Sequence, residues 1–121
     1  MVGYVAIVDD DEGARDALAA LLRAYGMETR TYSSPGDFLA ALPSGLPSCM
    51  VVDIHMPVMT GLDLRRELLR LGVRVPTIII TGRDQRSYRE DCRDLGVAAY
   101  LLKPLDADAL IGAISSAVGP N

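Results

Sequence analysis

Five short segments of the chain have the pattern of β-strands, and a segment with helical spacing of its apolar positions follows each of them. The strand-like runs cover residues 2–8, 27–32, 48–53, 75–81 and 98–103. The first, third and fourth runs are almost continuously apolar, which is typical of strands that are covered on both faces of a sheet. The second run alternates through Met27, Glu28, Thr29 and Arg30, which indicates an edge strand with one wetter face.

The segments that follow these runs predict helices, most of which have recognisable first and last residues. The first helix, residues 10–26, has its apolar stripe at Ala14, Ala17, Leu18, Leu21, Leu22 and Tyr25. The predicted opening residues of the other helices are Ser34, Thr60, Asp84 and Asp106. Pro35 at the first helical position and Asp63 at capping-box spacing from Thr60 strengthen two of these starts.

Regular alternation of strands and helices predicts an α/β fold, a doubly wound parallel sheet with helices on both faces. Because crossovers between parallel strands are right-handed, few topologies remain. The 121 residues fit one domain, so we expect residues 1–121 to form it, with 119–121 as a chain end or a linker stub. No internal repeat or low-complexity tract interrupts the pattern.

Composition and charge exclude several classes of protein. Half of the residues are apolar, which excludes a disordered chain, and the net charge of −4 argues against direct nucleic-acid binding. The start of the chain does not resemble a signal peptide, and no apolar stretch approaches the length that spans a membrane, so we expect a soluble cytoplasmic domain. Cys49 and Cys92 have no CxxC spacing and are expected to be buried thiols in a reducing compartment.

Polar residues stand where four of the five predicted strands end. In a doubly wound sheet, ligands bind outside the carboxyl ends of the strands. The residues at these ends are Asp9 and Asp10 after the first strand, Asp53 on the third, Thr81 and Gly82 on the fourth, and Lys103 on the fifth. Any of them alone would be explained as a helix cap, a turn former or an edge side chain, but together they predict a shared site.

The types of these residues indicate what the site binds. Three carboxylates at one edge would repel each other and raise each other's pKa, and a divalent cation relieves that repulsion. Hard oxygen ligands without a Cys or His cluster favour Mg²⁺, or Mn²⁺, over Zn²⁺. The hydroxyl of Thr81, the backbone N–H of Gly82 and the ammonium of Lys103 are donors that a phosphoryl group requires. The sequence therefore predicts a joint site for a metal ion and a phosphoryl group.

Four motifs carry a resemblance to a known family. They are "VDDDE" at 8–12, "VVDIHMPVMTG" at 51–61, "IIITG" at 78–82 and "AYLLKP" at 99–104. In this order and spacing they resemble the receiver domains of bacterial two-component response regulators over essentially the whole chain. The residues around "DIHMP", "ITG" and "KP" are similar to those of the FixJ-type subgroup. The resemblance implies a five-stranded parallel sheet in the order 2-1-3-4-5, the flavodoxin/CheY-like (βα)5 fold, in a protein of phosphorelay signal transduction and transcription regulation.

The resemblance also implies roles for individual residues. Asp53 would accept a phosphoryl group from the phosphohistidine of a sensor histidine kinase. Asp10 would bind Mg²⁺ directly, Asp9 would bind it largely through water, and the main-chain carbonyl of His55 would complete the protein's ligands. We expect the side chain of His55 to be exposed, since no second His or Cys accompanies it.

The same resemblance implies a switch around the phosphoryl group. Thr81 would donate its hydroxyl to that group, Gly82 would donate its backbone N–H, and Lys103 would pair with another of its oxygens. Tyr100 matches the aromatic residue that moves inward when Thr81 moves. The peptide bond between Lys103 and Pro104 is expected to be cis, which would position the lysine through a tight turn.

The predicted fourth helix has little apolar surface, because its stripe consists of Tyr88, Cys92 and Leu95 alone. Little buried apolar area means low local stability, so we expect this helix to open more readily than the first one. Weak anchoring suits an element that shifts when the charge of the site changes. We therefore predict that the fourth helix, fifth strand and fifth helix form an output face for a partner, an effector domain or, on phosphorylation, a second copy of the chain.

Three other functions share some of these features. A phosphohydrolase of the haloacid-dehalogenase type also uses a strand-end aspartate and magnesium, but it requires a second aspartate where this chain has His55. A flavodoxin-like cofactor binder requires a Ser-, Thr- or Gly-rich loop after the first strand, whereas "DDDEG" would repel phosphate. The complete set of site residues disfavours a degenerate receiver that only docks. We expect a switch rather than an enzyme, one that catalyses only its own phosphoryl transfer and slow dephosphorylation.

Overall fold

The computed structural model describes residues 3–119, and a sheet of five parallel strands forms its centre. The strands are β1 (Val5–Val8), β2 (Thr29–Tyr32), β3 (Cys49–Asp53), β4 (Thr77–Thr81) and β5 (Ala99–Leu102). They lie in the order β2-β1-β3-β4-β5, which confirms the predicted topology. Each strand lies inside its predicted run, and β2 is an edge strand, as its alternating sequence indicated.

Five helices in the described residues cover the two faces of the sheet. They are α1 (Glu12–Ala24), α2 (Pro35–Ala41), α3 (Gly61–Arg70), α4 (Arg86–Asp94) and α5 (Ala107–Val118), with a short 3₁₀ turn at Leu42–Ser44. Helices α1 and α5 pack on one face, and α2, α3 and α4 pack on the other. Between residues 3 and 119, no helix combines the length and the apolar character that crossing a membrane requires.

The two faces of the sheet carry separate hydrophobic cores, because successive residues of a strand point to opposite sides. On β3, Met50 and Val52 belong to the core beneath α2, α3 and α4, whereas Cys49 and Val51 belong to the core beneath α1 and α5. Every residue of β1, β3 and β4 is buried. This burial on both faces accounts for the continuous apolar sequence of these strands.

Both cysteines are free and buried, as the sequence predicts. Cys49 and Cys92 lie in different cores, on opposite faces of the sheet. Burial raises the pKa of the Cys49 thiol to about 12 and that of the Cys92 thiol to about 11. Because the thiolate is the reactive form of cysteine, these neutral thiols act as small apolar side chains.

Side-chain caps begin four of the described helices. Asp11, Ser34, Thr60 and Asp106 each accept a hydrogen bond from the main-chain N–H three residues later. The carboxylate of Asp63 accepts from the N–H of Thr60 in return, which completes the predicted capping box. The predicted helix starts at Ser34, Thr60 and Asp106 are therefore confirmed.

Two predictions about the helices are wrong. The fourth helix does not open at Asp84: α4 begins at Arg86, after Gln85, whose side chain makes no capping hydrogen bond. The Asp84 carboxylate binds side chains of α4 and β5 instead, so it is not available as a cap. On α1, Ala17 and Tyr25 are exposed, because Ala17 borders an open groove and Tyr25 is the C-cap residue beyond the last helical turn.

Val58, in the loop between β3 and α3, has a backbone conformation that β-branched residues rarely adopt. Its φ angle is +71°, and its side chain is fully exposed, so no packing compensates for the strain. The left-handed conformation costs an L-residue roughly 1–2 kcal/mol, whereas glycine adopts it freely.

Replacement of Val58 by glycine should therefore stabilise the fold. We expect Val58→Gly to raise the free energy of unfolding by about 1 kcal/mol, which is the strain relieved less the chain entropy that glycine adds. Val58→Ala keeps a Cβ and should recover only a small part of this gain. Urea unfolding followed by circular dichroism compares the three proteins. A glycine variant no more stable than the alanine variant would show that the loop is unstrained here.

Candidate functional site

The carboxyl ends of β1 and β3 and the residue after β5 bring three charged side chains together. The ammonium of Lys103 lies 2.5 Å from Oδ2 of Asp53 and 3.8 Å from Oδ2 of Asp9. Asp9 is 2% exposed and Asp53 is 6% exposed, while Lys103 reaches them from a half-buried position. Charged groups from three separate strands therefore meet at the edge of the sheet where the sequence predicts them.

Asp9 is the electrostatically costly member of this cluster. Its Oδ1 accepts a 2.9 Å hydrogen bond from the N–H of Asp11, whereas its Oδ2 is buried and has no hydrogen-bond partner among the described residues. Burial raises the pKa of Asp9 above its ordinary value, and the Asp11 N–H and the charge of Lys103 oppose that shift. The buried Oδ2 atom is therefore an acceptor that is open to a cation.

Asp53 is held at the tip of β3 by contacts on both of its carboxylate oxygens. Oδ1 accepts a 2.9 Å hydrogen bond from the N–H of His55, and Oδ2 accepts from Lys103. Burial alone would lower the pKa of Lys103, but its hydrogen bond to Asp53 and the charges of Asp53 and Asp9 raise it, so the ammonium stays charged. The Lys103–Pro104 peptide bond is cis, as predicted.

Gly61 allows the first turn of α3 to pack directly against the main chain of Asp53. A Cβ at this position would collide with the carbonyl oxygen of Asp53, and the Gly61 N–H donates to the Ile54 carbonyl at 3.0 Å. These contacts close the loop between β3 and α3 and fix the strand end. Sequence reasoning missed this role, although a glycine at the first helical position, where it is a poor helix former, is a signal for such a close approach.

Arg15 of α1 is a second residue whose role sequence reasoning missed. Its Nη1 donates a 2.9 Å hydrogen bond to the main-chain carbonyl of Asp9, which fixes the loop between β1 and α1. The contact depends on how α1 packs against the sheet, so the sequence carries no local signal for it.

Thr81 and Tyr100 are engaged with the loop between β4 and α4. The buried hydroxyl of Thr81 donates to the carbonyl of Arg83 and accepts from its N–H, both at 3.1 Å. Gly82 is exposed, with open space where a Cβ would lie. Tyr100 is half-buried, and its hydroxyl donates to Asp84 at 3.0 Å. The roles of Thr81, Gly82 and Tyr100 at a phosphoryl group stay predictions.

Asp10 and His55, the other predicted metal ligands, have exposed side chains. The exposure of His55 is as expected, and its ring packs edge-on against Tyr88 of α4 with centroids 5.6 Å apart. Across the part of the chain that the structure describes, no group of three or more His, Cys, Asp or Glu side chains is arranged to hold a metal ion. The metal-binding roles of Asp9, Asp10, Asp53 and the His55 carbonyl therefore stay predictions.

The donors present nevertheless fit a small, hard dication. Asp9 and Asp53 supply carboxylate oxygens, and the buried Oδ2 of Asp9 lacks a hydrogen-bond partner in the described chain. Asp10 adds an exposed carboxylate next to Asp9, while both cysteines are buried in the cores. Oxygen donors without thiolates favour Mg²⁺ or Mn²⁺.

Comparison with known proteins identifies the class. The sequence model of the response regulator receiver domain matches residues 5–115, and the chain belongs to this family. The response regulator protein TodT of Pseudomonas putida F1 is 33% identical over 112 residues, which are 93% of this chain and 49% of TodT. The transcriptional regulatory protein FixJ of Azorhizobium caulinodans is 35% identical over 118 residues, which are 95% of this chain and 54% of FixJ. The chain spans about half the length of these curated relatives.

Solved structures confirm the flavodoxin-like fold. The crystal structure of FixJ-N has a TM-score of 0.90 and 34% identity, covering 98% of this chain and 95% of that one. The response regulator receiver protein from Burkholderia phymatum has a TM-score of 0.84 and 35% identity, covering 98% of this chain and 97% of that one. Receiver domains generally act as phosphoacceptors in two-component signalling, bind Mg²⁺ at an acidic pocket and interact with histidine kinases.

A methyl group at Gly61 should destabilise the site. We expect Gly61→Ala to lower the free energy of unfolding by about 1–3 kcal/mol, because the new Cβ overpacks against the Asp53 carbonyl. Gly112→Ala is the matched control. Nothing would contact a Cβ at position 112 of α5, so this variant should gain about 0.5–1 kcal/mol from helix propensity. Equal effects of the two substitutions in urea unfolding would contradict the proposed packing at Gly61.

Removal of the charge of Asp9 should stabilise the metal-free protein at neutral pH. Asparagine keeps the oxygen that accepts from the Asp11 N–H but removes a buried charge, so we expect Asp9→Asn to gain on the order of 1 kcal/mol at pH 7. Because the folded-state pKa of Asp9 is raised by burial, the native protein gains stability as pH falls through that pKa. The advantage of the variant should therefore shrink as pH approaches the unfolded value of 3.8.

Urea unfolding at pH 7 and at about pH 4, with a metal chelator present, measures this difference around the unfolded aspartate pKa. Asp16→Asn, an exposed position on α1, is the control and should change stability little at either pH. An Asp9→Asn gain of the same size at both pH values would contradict a raised pKa of Asp9.

Proposed function

We propose that the chain is a phosphorylation switch in which Asp53 accepts a phosphoryl group from a sensor histidine kinase in a Mg²⁺-dependent reaction. The observation that carries the proposal is the cluster at the carboxyl edge of the sheet, where Lys103 lies between the buried carboxylates of Asp53 and Asp9. Membership of the receiver family supports it, because phosphoacceptor signalling is the general role of that family.

Asp53 is suited to act as the nucleophile. One of its carboxylate oxygens attacks phosphorus, the bond from phosphorus to the donor histidine nitrogen breaks, and an acyl phosphate forms. The N–H of His55 and the ammonium of Lys103 hold the carboxylate in place, so little reorientation precedes the attack. After transfer, Lys103 pairs with an oxygen of the phosphoryl group.

Asp9, Asp10, Asp53 and the main-chain carbonyl of His55 would hold the Mg²⁺ ion. When bound, the ion neutralises the charge of the carboxylates and of the phosphoryl oxygens. The buried Oδ2 of Asp9, which has no hydrogen-bond partner within residues 3–119, supports this assignment. Mn²⁺ shares the preference for oxygen ligands and would replace Mg²⁺.

The phosphoryl group draws in donors from the end of β4 and from the loop that follows it. The hydroxyl of Thr81 leaves the main chain of Arg83, and the N–H of Gly82 binds another phosphoryl oxygen. Tyr100 follows Thr81 inward, and α4 shifts with the loop. Of the residues of α4, Cys92 alone is buried, so the helix has little apolar area that would oppose this shift.

The face of α4, β5 and α5 would be the output surface. Curated relatives such as the transcriptional regulatory protein FixJ extend well beyond the part that this chain matches. We therefore propose that the domain acts in the cytoplasm and controls transcription through an effector domain, a partner or a second copy of itself. In this role it turns over only its own phosphoryl group, and it binds neither nucleic acid nor membrane directly.

Incubation with acetyl phosphate tests the acceptor and the metal together. In the presence of Mg²⁺, intact mass spectrometry should show the addition of one phosphate per chain, and removal of the metal with EDTA should prevent it. Asp53→Asn should abolish the addition, because the amide lacks the nucleophilic carboxylate oxygen.

Asp16→Asn, which changes an exposed aspartate on α1, is the matched control and should be labelled like the wild type. Equal labelling of Asp53→Asn would place the acceptor elsewhere. Labelling that persists in EDTA would exclude a requirement for the metal.

A further inference from the structure

Asp84, Arg89 and Tyr100 form a hydrogen-bonded cluster that joins the loop after β4 to α4 and β5. The Asp84 carboxylate accepts from Nε and Nη2 of Arg89, both at 2.7 Å, and from the hydroxyl of Tyr100 at 3.0 Å. The paired contact with Arg89 is the bidentate geometry that gives arginine–carboxylate pairs their specificity. We refer to these three side chains as the Asp84 latch.

Arg89 and Tyr100 also contact each other directly. The guanidinium carbon of Arg89 lies 5.2 Å from the ring centroid of Tyr100, within the range of cation–π attraction. The hydrogen bonds from Arg89 lower the pKa of Asp84, so its carboxylate remains ionised at neutral pH. Each member therefore contacts the other two, and none can move without loss of contacts to both.

The Asp84 latch is adjacent in the chain to the contacts of Thr81. The Thr81 hydroxyl makes both of its 3.1 Å hydrogen bonds to the main chain of Arg83, the residue before Asp84. One short loop thus positions the hydroxyl of Thr81 and the hydroxyl of Tyr100 at the same time. A movement of Thr81 towards Asp53 breaks its hydrogen bonds to Arg83 and so releases the main chain next to the Asp84 carboxylate.

The two ends of α4 are anchored differently. At its C-terminal end, the Arg65 side chain of α3 donates to the carbonyls of Leu95 at 3.0 Å and Gly96 at 3.3 Å, and burial lowers the pKa of this arginine. At the N-terminal end, Asp84 and Arg89 are exposed to solvent. Tyr88 also holds this half of α4, because it packs on the core and against the ring of His55, so opening of the latch loosens the N-terminal end without freeing it completely.

We propose that the Asp84 latch holds the unphosphorylated chain in its resting conformation and so limits how readily Asp53 is phosphorylated. This inference rests on the proposed phosphoacceptor function. Contacts made only in the resting conformation lower its free energy and reduce the population of the competent one. Loss of the latch raises that population, so the variants should be phosphorylated faster than the wild type, whereas loss of a merely structural contact would not accelerate the reaction.

The expected effect is modest, because solvent-exposed ion pairs contribute little. Contacts of this class change a conformational equilibrium by up to about fivefold, so we expect the initial rate of phosphorylation to rise about twofold to fivefold. Salt screens exposed charges, so the ratio of the variant rate to the wild-type rate should fall towards one as ionic strength increases.

The experiment measures initial rates of labelling of the whole chain by acetyl phosphate and Mg²⁺, followed by intact mass spectrometry. Asp84→Ala removes all three latch contacts of the carboxylate, and Tyr100→Phe removes only the hydroxyl contact; both should be faster than the wild type. The double variant should be no faster than Asp84→Ala, because the two residues act through one contact network.

Glu90→Gln is the matched control. Glu90 pairs with Arg86 at 3.0 Å within α4, so its loss removes an exposed ion pair from the same helix without touching the latch. This variant should be labelled at the wild-type rate. An equal acceleration in Glu90→Gln would attribute the effect to a general weakening of α4 and overturn the latch.

Failure of the latch and failure of the proposed function give different results. If the wild type is labelled at Asp53 and Asp84→Ala is labelled at the same rate or more slowly, the latch is wrong and the phosphoacceptor function stands. If neither protein is labelled with Mg²⁺ present, the phosphoacceptor function falls and the latch falls with it.

Discussion

Two buried carboxylates that share one ammonium are the constraint on which the rest of the molecule depends. Asp9 and Asp53 follow or end β1 and β3, which are hydrogen-bonded neighbours, so the two acids cannot move apart without breaking the sheet. Lys103 offsets part of the cost of burying like charges together. Burial still raises the pKa of Asp9, so the compensation is incomplete. The site therefore gains from further positive charge, which is the property that a metal-dependent switch requires.

This charge cluster has a rigid base because the sequence behind it is almost entirely apolar. The three central strands are fully buried, and their side chains fill a core on each face of the sheet. Gly61 then brings α3 onto the Asp53 main chain, and Arg15 ties the Asp9 carbonyl to α1. Each acid is thus fixed by its strand and also by a contact from the helix that follows it, which keeps the two carboxylates aligned at the edge of the sheet.

Features that depend on local sequence were predictable, and features that depend on tertiary partners were not. Apolar runs located four of the strands and an alternating segment located β2, while the caps at Ser34, Thr60 and Asp106 act within three residues of their partners. Aspartate is a favoured N-cap residue, which is why Asp84 was predicted to begin α4. Its carboxylate instead binds Arg89 and Tyr100, and these contacts exist only once α4 and β5 have packed together. The hydrogen bonds between the Thr81 hydroxyl and the main chain of Arg83 are an exception, because they are local contacts that sequence reasoning nevertheless missed.

The site consequently has a fixed half and a movable half. Asp9 and Asp53 are buried at the ends of neighbouring strands and bind the half-buried Lys103, whereas the hydroxyls of Thr81 and Tyr100 bind a loop whose residues are exposed. A site that was rigid throughout would add charge without a change of shape, and one that was mobile throughout would lose the alignment needed for transfer. Between these limits, a new charge on the fixed half would compete for the donors of the movable half. In the proposed switch, that competition would convert a local electrostatic change into a displacement of α4, because the apolar anchoring of this helix is small and its C-terminal end is held by Arg65.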